Sequence, residues 1–176
     1  SSPSRGLGDV YKRQDLIAGP FPLENWHDGD VIITNDPYSG GQHLPDIQTF
    51  KPVFLDGQLI AIAGILVHHL DVGGGAPGSY DAGASEIHQE GLRIPPLKIV
   101  EGGRRNQAII DMLLANSREP ANVGGDFASQ LAALGTGAET LQRISRRYGA
   151  ARLAAAARRI QDQSEAAMRC LLYTSP

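Results

Sequence analysis

A chain of 176 residues is long enough for one domain with a real core, and 41% hydrophobic with 20% charged residues is the balance of a soluble globular protein, which excludes disordered and fibrous classes. The net charge of −3 offers no basic excess for nucleic acid, so Arg143, Arg146, Arg147, Arg158 and Arg159 read as solvated helix faces. No apolar run approaches the roughly 18 residues of a membrane span, no secretory signal opens the chain, and the single Cys170 excludes an internal disulfide framework; a cytoplasmic protein with no membrane contact is expected.

The ends read differently from the rest. Residues 1–14 (SSPSRGLGDVYKRQ) and 170–176 (CLLYTSP) carry no pattern that leads into their neighbours and resemble translated adapter sequence. They are set aside from the fold. That leaves residues 15–169 as an internal part of a longer protein, a fragment of a larger fold.

Residues 15–28 form a Pro/Gly-containing approach with at most one helical turn. Val31, Ile32, Ile33 and Thr34 make a short β-branched run bounded by turn residues, the pattern of a buried strand, and Asn35-Asp36-Pro37 ends it. The loop that follows contains Gly40-Gly41, where backbone can approach a ligand or ion closely. Residues 47–55 and 58–69 flank Asp56-Gly57, the dipeptide of a type I′ hairpin turn. The second of these strands is apolar on both faces and is expected in the middle of a sheet. Counting outward from the turn sets Asp46 beside His68. Residues 71–91 are a long loop, first glycine-rich and then acidic, of the kind that is functional or mobile. LRIPPLKIV at 92–100 is extended, and its paired prolines demote it to a sheet edge or a polyproline-like piece.

Beyond Gly103 the period changes to that of helices. Ile109, Ile110, Leu113 and Leu114 mark one face of a helix over 106–116, and Pro120 is placed to start another. Phe127, Leu131, Leu134, Ala138, Leu141, Ile144 and Tyr148 recur every three or four residues along a long helix, with Gly135 and Gly137 as points for a kink and Gly149 as its cap. Residues 150–169 are helical again, with Leu153, Ala157, Ile160 and Ser164 along one side. The expected class is α+β: a mixed sheet with a β-hairpin in the first half and long amphipathic helices in the second.

His43, Asp46 and His68 converge in this scheme. Two imidazoles and a carboxylate suit a borderline divalent ion such as manganese, iron or zinc better than calcium or magnesium, which prefer oxygen. Neighbouring strand residues point to opposite faces, so His69 cannot join His68 on one ion unless the strand has ended. Asp71 shares a side with His69, where a carboxylate can orient a ligand from outside the coordination shell. Spacing alone leaves the alternative open that these histidines are hydrogen-bonded loop anchors. Glu86 and Glu90 lie one helical turn apart, an acid/base pair or a solvated face. The glycines from Gly73 are no phosphate loop, since no Lys-Ser/Thr follows.

GDVIITNDPYSGGQHLPD, VHHLDVGG, EIHQEGLRIPPLKI and LLANSREP, in that order, resemble the hydantoinase B/oxoprolinase family over nearly all of residues 28–169. The resemblance implies the B-type subunit of an ATP-dependent cyclic-amide hydrolase, of the hydantoinase or 5-oxoprolinase kind, working in a hetero-oligomer. The partner would be a hydantoinase A type subunit that binds ATP. The runner-up that it implies is a related enzyme, an ATP-dependent acetone or acetophenone carboxylase acting on a ketone. In the acetone carboxylase branch such a subunit holds manganese, and His43, Asp46 and His68 stand where its histidine, aspartate and histidine ligands fall; a further carboxylate ligand would lie upstream and is missing here. Where relatives often have NDPYHGG, this chain has Ser39, so any role of a histidine there is absent. A third reading, from a different class, makes this portion a structural interface with no catalytic metal.

Overall fold

The computed structural model describes residues 21–174, so the expectations for residues 1–14, for the first part of the approach (15–20) and for the last two residues lie outside the described part. Five strands form one sheet: β1 (Val31–Thr34), β2 (Asp46–Leu55), β3 (Gln58–His68), β4 (Leu97–Glu101) and β5 (Arg104–Arg105), in the spatial order β3-β2-β1-β4-β5. Three helices follow: α1 (Gln107–Ala115), α2 (Pro120–Tyr148) and α3 (Ala150–Thr174). The α+β class holds, and the mixed sheet narrows to one in which every pairing among the described strands is antiparallel.

The hairpin forms as its turn residues dictate. Asp56 and Gly57 both take positive φ, at 52° and 78°, the signature of a type I′ turn, and Asp46 pairs with His68 at the far end. β1, buried at all four residues, lies centrally between β2 and β4. The apolar β3 does not. It occupies the sheet edge, with Leu66 44% exposed, because strand hydrophobicity reports burial potential and not the position that strand pairing assigns. The Pro95-Pro96 pair ends before β4 begins, which frees Leu97 onward to pair on both sides, with β1 and with the two-residue β5.

One face of the sheet carries the main core. Val31, Ile33, Ile47 and Ile99 meet Leu113 of α1 and Val123, Phe127 and Leu134 of α2. On the other face a smaller cluster forms from Trp26, Ile32 and Phe50. The Phe50 ring lies over its cross-strand partner Gly64, where a Cβ would come within 3.2 Å of the ring.

Asn106 caps α1, its side chain accepting from the N–H of Ile109 at 3.4 Å. α2 runs unbroken from Pro120 through Gly135 and Gly137, both facing open space, to Gly149 at φ 87°. No kink occurs, because tolerance of a kink does not create a force to bend. The α2 stripe also holds two polar residues that periodicity passed over, Gln130 and Ser145, both 2% exposed. α3 continues through residues 170–174 and buries none of its described side chains; Ile160, on its expected inner side, is 63% exposed.

Candidate metal and substrate site

The site is built on the ends of β1 and of the hairpin. After Thr34 the chain turns at Asp36, whose carboxylate caps the short 3-10 turn Pro37–Ser39 by accepting the Tyr38 N–H at 3.1 Å. Gly40 takes φ 94°, and Gly41 presses against the backbone of Asn35, where a Cβ would lie 2.3 Å from the carbonyl oxygen; only glycine fits. The loop is then tied down by Asn35, which is fully buried. Its Nδ2 donates to the carbonyls of Leu44 at 2.7 Å and Leu92 at 2.8 Å, and its Oδ1 accepts the N–H of Ile94 at 2.6 Å. Leu44, at 0% exposure, anchors the loop in the core next to His43.

The three residues singled out from the sequence come together. Asp46 Oδ1 lies 2.8 Å from His68 Nδ1, and the His43 ring stacks on that of His68 with centroids 5.5 Å apart and planes 24° from parallel. His68 is exposed, while His43 and Asp46 are half-buried. They do not close into a three-donor cage, and among the described residues no group of three or more His, Cys, Asp and Glu side chains is gathered in a way that could hold a metal ion. The donor chemistry nevertheless suits a divalent ion: a carboxylate and an imidazole that share a proton here are a pair that can share a cation. Three surface clefts of about 580, 330 and 390 Å³ lie elsewhere, and none is lined by His43, Asp46 or His68.

Although β3 ends at His68, His69 still points to the opposite face of the sheet, as strand alternation carries it. It is fully buried, against Phe127 at a ring distance of 4.5 Å, with Nε2 3.1 Å from Gln130 Oε1. The Gln130 amide Nε2 donates to the carbonyl of Ile47 at 2.9 Å and reaches that of Ile65 at 3.4 Å. Carbonyls only accept, so Gln130 must present its oxygen to His69, and His69 carries its proton on Nε2. Its Nδ1 is left buried without a partner. Burial holds the ring below the ordinary histidine value, against the bond to Gln130 and the charge of Asp126, so His69 is neutral.

Asp71 does other work than the ligand-orienting role expected of it. Its Oδ1 accepts the N–H groups of Gly73 (2.9 Å) and Arg118 (3.0 Å), and its Oδ2 accepts that of Gly78 (2.9 Å) and the Arg118 guanidinium (3.0 Å). Burial alone would raise this carboxyl; the bonds from Arg118, Gly73 and Gly78 outweigh it and hold it below the ordinary carboxylate value. Arg118 also donates to the carbonyls of Gly74 and Ala76, so the glycine loop is folded around one ion pair. Glu86 and Glu90 do not form an acid/base pair. Glu86 caps the turn Ile87–Gln89 in a capping box with Gln89, and is exposed.

Asn35, Arg118 and Gln130 are the residues that sequence reasoning missed as organisers. Asn35 and Arg118 sit inside quoted blocks, NDPYSGG and LLANSREP, and sequence position within those blocks was the available signal. Gln130 had none beyond being polar on an otherwise apolar stripe.

A family model described as hydantoinase B/oxoprolinase matches residues 14–176. The chain is 37% identical over 170 residues to the caprolactamase subunit beta of Pseudomonas jessenii, covering 97% of this chain and 29% of that one. It is 34% identical over 149 residues to a 5-oxoprolinase of Dictyostelium discoideum, covering 85% of this chain and 12% of the relative. Among solved structures, the ATP-dependent caprolactamase of Pseudomonas jessenii superposes with a TM-score of 0.86 over 97% of this chain and 29% of its own. Nucleotide-free acetone carboxylase superposes with a TM-score of 0.71 at 23% identity over 81% of this chain and 18% of its own, a likeness of fold. The chain thus spans less than a third of the length of these relatives.

Proposed function

The chain belongs to the hydantoinase B/oxoprolinase family, and from that membership we propose that it contributes the sheet-and-loop region of a B-type subunit in an ATP-dependent cyclic-amide hydrolase. The likeness to caprolactamase along 97% of the chain, in sequence and in fold, carries this reading. The substrate class is a lactam or related cyclic amide. The partner is a hydantoinase A type subunit, and ATP binds there, as the family resemblance implies. A carboxylase acting on a ketone is the second reading; what favours it is the shared fold with acetone carboxylase, which speaks to architecture and not to substrate.

His43, Asp46 and His68 are the residues proposed to hold a divalent ion, manganese, zinc or iron. Such an ion, when bound, polarises an amide or acyl oxygen and lowers the pKa of water. The chain's own residues prepare for it. Asp46 and His68 stand 2.8 Å apart through Oδ1 and Nδ1, so that an ion can take the place of the proton between them. The stacked His43 ring stands on the same side. The loop that carries His43 and Asp46 is held by Asn35 and Leu44, so the donors sit on a rigid frame.

The test is metal analysis of a full-length family subunit carrying these residues, purified with its A-type partner, in wild type, His43→Ala and His68→Ala. Near-stoichiometric metal in the wild type, lost in both variants together with ATP-dependent opening of caprolactam, hydantoins or 5-oxoproline, is the expected result. Metal and turnover unchanged in His43→Ala would sink the metal assignment, and carboxylation of ketones without lactam hydrolysis would select the second reading.

A further inference from the structure

Gln130 lies on α2, far along the chain from His43, Asp46 and His68, yet two of the three groups it bonds are direct neighbours of that site in sequence. Its oxygen accepts from His69, next to His68; its amide donates to the carbonyl of Ile47, next to Asp46, and reaches that of Ile65 on the same strand as His68. The frame closes through the backbone, since the His69 N–H donates to the Pro45 carbonyl at 2.8 Å and the Asp46 N–H to the His43 carbonyl at 2.9 Å. No other described side chain of the helix layer hydrogen-bonds to both strands of the hairpin.

We infer that Gln130 is a positioning residue: by clamping Ile47, Ile65 and His69 together from α2, it holds the open end of the hairpin so that His68 stays within hydrogen-bond distance of Asp46. Three observations support it. The carboxamide is 2% exposed and uses both its donor and its acceptor ends, so its orientation is fixed. The clamp falls at the open end of the hairpin, where His68 is the last residue of β3, the edge strand among the described strands. The side chains of Asp46 and His68 lie on the opposite face of the sheet from Ile47, so Gln130 acts on the site through the backbone without touching it. A carboxamide suits this better than a charged group. It meets two carbonyls and a neutral imidazole with no buried charge.

The inference rests on the proposed role of His43, Asp46 and His68, and its test separates the two. In the metal-free chain, nitrogen-15 NMR of the histidine rings reads the His68 Nδ1–H bond to Asp46 and the His69 tautomer directly. Gln130→Met is compared with Gln142→Met, a control on the same helix: Gln142 ties α2 to the Phe54 carbonyl at 2.8 Å, at the turn end of the same hairpin. Expected is loss of the His68–Asp46 signature in Gln130→Met alone, with Mn²⁺ or Zn²⁺ binding weakened by about 10-fold, while Gln142→Met keeps both. An unchanged His68 signature in Gln130→Met, or an equal change in both variants, overturns the positioning role. Should Gln130→Met not fold, Gln130→Asn keeps the amide but shortens its reach and gives the same comparison. Absence of metal from the wild-type full-length subunit would count against the ion at this site, and the His68 resonances would still decide the role of Gln130.

Discussion

Replacing Asn35 by alanine takes the side-chain partner from the buried Leu44 carbonyl, the half-buried Leu92 carbonyl and the buried Ile94 N–H. The expected cost is about 3 kcal/mol in urea denaturation, well above that of an ordinary surface change. Asp30 makes a second prediction at this scale. It is fully buried beneath Lys98 at 2.8 Å and accepts the N–H groups of Gly102 and His27. Burial would raise its carboxyl, but the Lys98 ammonium and the two N–H bonds hold it below the ordinary value of 3.8. The sign follows: below about 3.8 the unfolded chain takes up a proton that the folded chain resists. The stability that Asp30 contributes is full above that pH and lost as pH falls toward its folded value. Thermal melts of wild type and Asp30→Asn across acid pH should therefore converge below pH 3.8, and a gap that stays constant would refute it.

At the scale of elements, glycines divide into two kinds that the sequence cannot separate. Gly137 of α2 faces open space, so Gly137→Ala should stabilise the helix by roughly 0.5–1 kcal/mol. Gly74 has φ 86°, and a Cβ there would lie 2.5 Å from the Gln89 carbonyl oxygen, so Gly74→Ala should open the loop held by Asp71 and Arg118. Limited proteolysis within residues 73–90 checks it: faster cleavage in Gly74→Ala and none in Gly137→Ala is the expected pair of results. The elements themselves were largely legible. β1, the hairpin with its Asp56-Gly57 turn and the helices around 106–116 and from Phe127 to Tyr148 follow from β-branched runs, turn chemistry and the 3.6 period, which are local in origin, whereas the run of the helix from Pro120 unbroken through Gly124-Gly125 does not. What was not legible was the edge position of β3 and the exposure of α3, since both depend on which elements pack where.

For the whole molecule, the sheet and α2 form the stable unit and α3 stands apart. α2 sends Val123, Phe127 and Leu134 into the main core, whereas α3 buries no described side chain. Amide hydrogen exchange of the chain should show α2 protected to near the global stability and α3 exchanging much faster. Equal protection of the two helices would mean that α3 is held by contacts absent here. The sequence by itself determined the α+β class, the hairpin register that sets Asp46 opposite His68, and the convergence of His43, Asp46 and His68, because strand alternation and turn type fix those by counting. Only the tertiary structure decided that Asp71 is paired to Arg118 and that a glutamine on a distant helix clamps the ends of the hairpin. The physical reason is that such bonds join residues 47 and 83 positions apart in sequence, and no local preference encodes a partner at that distance.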